Sequence, residues 1–172
     1  EHSMELRRHA SEALKIAKSR FPNLALVYIS SRVYGGYATS TLHPEPLAFE
    51  SAFGFKWLIE SQIEGDPELN FDPTQGPVTV PWISWGPYTW ADGLRARSDG
   101  WVWECDDFAS DGTHTTDQGA DKVGALLLSF FKADITAAAW FRHPNPASEL
   151  LLTQRDLHPG EATLFEITGA SP

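Results

Sequence analysis

The chain has 172 residues, 42% of them apolar and 21% charged, enough for one domain with a sizeable core. Thirteen Lys and Arg stand against 23 Asp and Glu, a formal charge of -10. That balance argues against nucleic acid and anionic membrane as partners, because both need a basic surface to release counterions. Cys105 is the one cysteine, which excludes an internal disulfide and a thiolate zinc cluster and leaves the compartment open.

In chain order, Leu6, Ala10, Ala13, Leu14 and Ala17 recur at three- and four-residue spacing and predict a helix, closed by Phe21-Pro22-Asn23. The run 24–29, Leu-Ala-Leu-Val-Tyr-Ile, does not alternate. Such a run predicts a strand buried on both faces, as in a parallel sheet covered by helices. Residues 30–48 read as loop. A second helix is expected over 49–64, with Phe53, Trp57, Leu58 and Ile63 facing inward, stopped by Gly65-Asp66-Pro67. Val78 to Trp85 reads as a short strand interrupted by Pro81, and 86–115 as a long, ordered surface loop. Thr116 caps the clearest helix, whose apolar stripe is Val123, Leu126, Leu127, Phe130 and Phe131. The organisation expected is an α/β domain over 1–141 and a Pro-rich tail over 142–172. In that tail 150–153 and 162–167 form a hairpin around Gly160. The opening residues carry no signal-peptide pattern, and no apolar run nears the roughly 20 residues that span a bilayer.

Asp111-Gly112-Thr113-His114 stands just before the capped helix. An Asp three residues ahead of a His can fold its carboxylate back onto the imidazole Nδ1–H, fix the tautomer and leave Nε2 free as a base. The helix behind it reads Gly119-Ala120-Asp121-Lys122-Val123. Together these residues resemble the last signature block of the SGNH (GDSL-type) hydrolases, an Asp-x-x-His followed by a helix with Gly-x-x-Lys-Val. Thr115-Thr116 stands where that block usually has Pro-Ser, and keeps a hydroxyl cap.

The resemblance implies the C-terminal portion of a three-layer α/β/α, flavodoxin-like SGNH fold, with His114 as general base and Asp111 as its orienting partner. It implies ester hydrolysis with no metal and no cofactor. The family's Gly-Asp-Ser nucleophile block is absent; Gly65-Asp66-Pro67 has proline in place of serine and follows a helix. The serine would therefore come from outside these residues. Three accounts are open: a fragment, a second chain carrying the serine block, or a degenerate relative.

Ser31, Arg32 and Tyr34 directly follow the first strand, where ligands of open α/β sheets lie, and are expected to bind substrate. For Ser31, turn bonding is the competing role. Five of seven tryptophans fall between Trp82 and Trp103. Trp82 and Trp85 read as core. Trp90 and Trp101 are expected at a substrate surface, where indoles stack on sugars or hold acyl chains, and Trp103 divides evenly between core and surface. Seven acids lie between Asp99 and Asp121 with no Lys or Arg among them, and read as a solvated acidic loop. That field favours neutral O-acyl esters, small or on carbohydrate, and an acylated-carbohydrate substrate would suit a secreted or periplasmic protein. Cys105 reads as a buried structural thiol. A rival function is a non-catalytic carbohydrate-binding module that uses the Trp-rich loop 82–103.

Overall fold

A computed structural model describes residues 1–39 and 46–142, together with the strand backbones 151–153 and 166–168. Four helices and two small sheets lie among these residues, a mixed α/β fold. The chain divides into two compact units, Glu1–Val123 and Gly124–Pro172.

The first unit opens with α1 (His2–Arg20), which ends where Pro22 follows the Phe21 C-cap. β1 (Leu26–Ile29) and β2 (Trp82–Trp85) pair in parallel, Leu26 opposite Trp82 and Ile29 opposite Trp85. The connection between them runs through α2 (Leu47–Ile63), an α-helical crossover of the kind parallel strands require. The expected strand thus forms in the expected sheet type. Its residues are only half-buried, however, short of the full burial expected for such a strand.

α2 forms where periodicity placed it but is rotated about its axis. Its buried residues are Ala48, Ala52, Gly54, Leu58, Ile59 and Gln62, whereas Phe53 and Ile63 are exposed. Close packing on α1 sets this rotation. A Cβ at Gly54 would overlap the Ser3 carbonyl oxygen, and the Ser3 hydroxyl donates to Glu50 O at 2.8 Å. Small residues face the partner helix and the large aromatics are pushed outward. Gln62 is the buried polar exception. Its amide donates to Leu69 O and Pro81 O, and its Oε1 accepts from Ile83 N at 2.8 Å, tying α2 to the start of β2.

Two apolar clusters result. Leu14, Leu58, Ile59, Leu69, Val80 and Ile83 form one, with Val27, Ile29 and Trp85 against it. Ala91, Trp103 and Phe108 form the other, ringed by Val33, Tyr37, Trp101 and Val123. The second cluster is the interior of the long segment 86–115, which is ordered because it has its own core. That segment is less irregular than expected, since Cys105–Asp107 form a 3₁₀ turn. Cys105 itself is exposed, contrary to the expected buried thiol; a three-residue turn held at both ends by its neighbours leaves this side chain outward.

α3 (Asp117–Ala133) begins in the first unit, with Thr116 Oγ1 accepting from Gly119 N. In the second unit a separate α4 (Ile135–Phe141) follows, started by Asp134, whose carboxylate accepts from Thr136 N and Ala137 N. Aromatic rings close this helical corner, Phe131 stacking on Phe141 at 5.4 Å and meeting Trp140 edge-on at 5.6 Å. β3 (Leu151–Thr153) and β4 (Glu166–Thr168) pair antiparallel, the hairpin strands expected of the tail. Gly160, the expected turn, lies outside the described residues. No single helix is long and apolar enough to cross a membrane among the described residues.

Candidate active site

The loop 108–116 is folded by its own polar groups. Phe108 and Thr115 bridge in antiparallel fashion, Ala109 N donates to His114 O at 2.7 Å, and Gly112 N donates to Ala109 O at 2.8 Å. Within this turn Asp111 Oδ1 accepts from Thr113 N and His114 N at 2.9 and 3.0 Å. Those two bonds orient the carboxylate so that Oδ2 meets His114 Nδ1 at 2.6 Å. An ionised carboxylate only accepts, so Nδ1 carries the hydrogen and the neutral ring keeps a bare Nε2. The bond from the imidazole and those from the two backbone amides hold the Asp111 carboxyl at a pKa of about 2, against an ordinary 3.8. The His114 side chain is 82% exposed, and Nε2 has no hydrogen-bond partner among the described residues. Asp111 and His114 are therefore brought together in the geometry their spacing suggested.

Gly112 is required here. Its φ is +65°, and a Cβ would fall on the Tyr37 carbonyl oxygen, because the segment after β1 runs directly under the turn. Thr39 N donates to Asp111 O at 3.0 Å along the same path.

Beneath the turn lies a second acid–base pair that the sequence reading missed. Asp107 is fully buried, and its carboxylate accepts from Lys122 Nζ at 2.6 Å, Glu104 N at 2.8 Å and Gln118 Nε2 at 3.0 Å. Burial alone would raise its pKa, yet these donors outweigh burial and leave it below the ordinary value. Lys122 also donates to Val102 O and lies over the Trp103 ring at 5.4 Å. Gly119 lets α3 come this close, since a Cβ there would overlap the Asp107 carbonyl oxygen. Gly119 and Lys122 thus anchor α3 to the turn that presents His114. The Gly-x-x-Lys spacing was the available signal.

The expectation of a solvated, cation-free acidic loop is corrected on two counts. Asp107 is buried against Lys122, and Asp99 forms a bidentate pair with Arg97 that lowers its pKa to about 2. Both cations lie just beyond the ends of the acidic run, close enough in space to face it.

Ser31 is buried, and its Oγ accepts from Thr89 N at 2.7 Å and Trp90 N at 3.1 Å, so the hydroxyl braces a neighbouring loop. These contacts are neither a local cap nor a turn bond, the competing role, but a long-range brace to residues 89–90. Tyr34 is also buried and bridges Trp90 in parallel, extending the β1–β2 pairing. Trp90 is half-buried, its ring 5.0 Å from Phe49. Trp101 packs edge-on against Trp103 at 5.3 Å, with Arg97 and Lys122 each 5.9 Å from its ring. Trp103 is a core residue, fully buried with its indole N–H donating to Thr89 O.

Arg32 has a different setting. A cavity of about 470 Å³ opens beside it, lined by Leu6, Ser31, Arg32, Leu47, Glu50 and Phe55 among others; neither Asp111 nor His114 lines it. Burial lowers the Arg32 pKa. Among the described residues no cluster of three or more His, Cys, Asp or Glu could hold a metal ion. No protein-family model matches this chain, and no curated protein or solved structure is significantly similar to it.

Proposed function

We propose that this chain carries the base and its orienting acid of an SGNH-type ester hydrolase. The observation that carries the reading is the 2.6 Å contact between Asp111 Oδ2 and His114 Nδ1, with Nε2 bare and open to solvent. A serine hydroxyl supplied from outside these residues attacks the ester carbonyl and transfers its proton to His114 Nε2. Asp111, ionised throughout the neutral range, stabilises the imidazolium that forms. His114 then returns the proton to the departing alcohol, and water repeats the cycle on the acyl-enzyme. The half-buried β1 supports this two-part arrangement, because a parallel sheet of this kind is normally covered on both faces.

Charge favours a neutral acyl ester, small or on a carbohydrate. Of the seven acids in 99–121, Asp99, Asp107 and Asp111 have basic partners; Glu104, Asp106, Asp117 and Asp121 have no ion pair among the described residues. Their field repels an anionic substrate at low salt. The rival carbohydrate-binding reading draws less support, since Trp103 is buried and Trp101 is packed between cations.

The test uses the protein as its whole gene encodes it, with any chain that copurifies. Hydrolysis of an acetylated sugar and of a matched anionic ester is followed for wild type, His114→Ala and Asp111→Asn. The expected result is turnover of the neutral ester that falls by roughly 10⁶-fold in His114→Ala. Full activity in that variant overturns the assignment.

A further inference from the structure

The cavity at the carboxyl end of β1 contains a charged side chain, Arg32, that forms no ion pair among the described residues. Arg32 is partly buried, its Nε is shielded from solvent without a partner, and its guanidinium makes no hydrogen bond or ion pair among the described residues. A guanidinium with a shielded N–H normally binds a carboxylate or phosphate, because an unpaired buried donor carries the full cost of its lost water. Other cations of the chain illustrate the usual outcome, Arg97 being held by Asp99 and Lys122 by Asp107. Arg32 departs from it while lining the cavity.

The remaining walls narrow the ligand class. Leu6, Leu47 and Phe55 offer apolar surface, which suits a hydrocarbon or aromatic body. Glu50 contributes the opposing charge and has no ion pair among the described residues. Arg32 is the permanent cation of the lining and Glu50 its carboxylate, beside the imidazole of His2; this set suits a singly charged ligand, since a doubly charged phosphate would leave Glu50 facing net negative charge. The first turn of α2 reaches the cavity through Leu47 and Glu50, and the positive end of the helix dipole there also favours an anion.

We propose that this cavity binds a small monocarboxylate with an apolar body, its carboxylate held by the planar fork of Arg32. The site is separate from His114 and does not depend on the hydrolase reading.

The experiment titrates the intact, ¹⁵N-labelled protein with benzoate, its neutral isostere benzamide and inorganic phosphate. Benzoate is expected to saturate and shift amides of residues 30–32 and 47–55, with benzamide and phosphate much weaker. Arg32→Met should weaken benzoate about tenfold or more, the worth of hydrogen bonds to a charged group. Glu50→Gln should tighten it by removing a like charge. The Glu50→Gln and ligand-panel arms stand even where Arg32→Met does not fold. Benzamide or phosphate binding as well as benzoate overturns the proposal. Shifts elsewhere, or an unchanged affinity in a folded Arg32→Met, do the same.

Discussion

Asp107 and Asp111 stand four residues apart, and each meets a basic side chain at 2.6 Å. Asp107 is fully buried, with donors on both oxygens and its partner lysine held in turn by Val102 O and two indole rings. Asp111 lies at the surface, and its partner imidazole is 82% exposed with one nitrogen unoccupied. The same contact distance therefore serves opposite ends. Where every donor and acceptor is satisfied inside, the pair holds a helix in place. Where one atom remains open to solvent, the pair is available for chemistry. Burial and satisfaction, more than the ion pair itself, tell the two apart.

Breaking the inner pair is expected to have the largest effect on folding. Asp107→Ala leaves Lys122 and the Glu104 amide without their acceptor beneath the turn, and losing one partner of a buried pair costs about 3–5 kcal/mol. Urea unfolding should show a loss of that order, together with lost hydrolysis because the turn bearing His114 is no longer anchored. A loss under about 1 kcal/mol would show that water replaces the carboxylate and that the inner pair is not the anchor.

Gly119→Ala should have the next largest effect. The added Cβ meets backbone, the Asp107 carbonyl, so helix or turn has to move. Overpacking costs about 1–3 kcal/mol, and alanine's better helix propensity returns about 1. A net loss of up to about 2 kcal/mol in urea unfolding is expected; a stabilised Gly119→Ala would mean that α3 yields freely at this end.

The outer pair was legible in the sequence and the inner one was not, for a physical reason. A three-residue Asp–His spacing is closed by a single turn, so local geometry is enough. Asp107 finds Gln118 and Lys122 at 11 and 15 residues, across the start of a helix, and only tertiary packing reveals that they meet. The same limit explains α2. Its helix was readable from apolar spacing, but its rotation depends on Ser3 of α1 approaching Gly54, and Phe53 and Ile63 fall outward as a result. The αβ unit 1–29 was readable because proline and an unbroken apolar run mark it locally. Ser31 and Tyr34 were placed correctly at the strand end, yet their contacts lie with 89–90, beyond any spacing rule.

His114→Ala sharpens the contrast from the other side. An 82% exposed side chain whose contacts lie within its own turn should contribute little to folding, and the unfolding midpoint is expected within about 0.5 kcal/mol of wild type. Combined with the collapse of hydrolysis, this separates a chemical role from a supporting one. A loss similar to that of Asp107→Ala would make the outer pair a structural element and weaken the case for catalysis.

The smallest effect expected is the pH dependence of the outer pair, and its sign is fixed. The Asp111 carboxyl titrates at about 2 in the folded chain, against 3.8 for the free group, because the His114 ring and two backbone amides favour its charged form. A depressed carboxyl contributes stability above its unfolded value and loses it as pH falls through the folded one. Asp111→Asn should therefore be slightly less stable than wild type near neutrality, with the gap narrowing between about pH 4 and pH 2. Solvent screening at this exposed site keeps the whole difference small. The inner carboxyl of Asp107 shifts in the same direction, but it is common to wild type and Asp111→Asn and cancels in their difference. A gap that stays constant down to pH 2 would show that the asparagine disturbs the turn itself and not the charge it replaces. Because Asp111 stays ionised above about pH 3, an acid limb in the hydrolysis profile above that value reports a group other than Asp111.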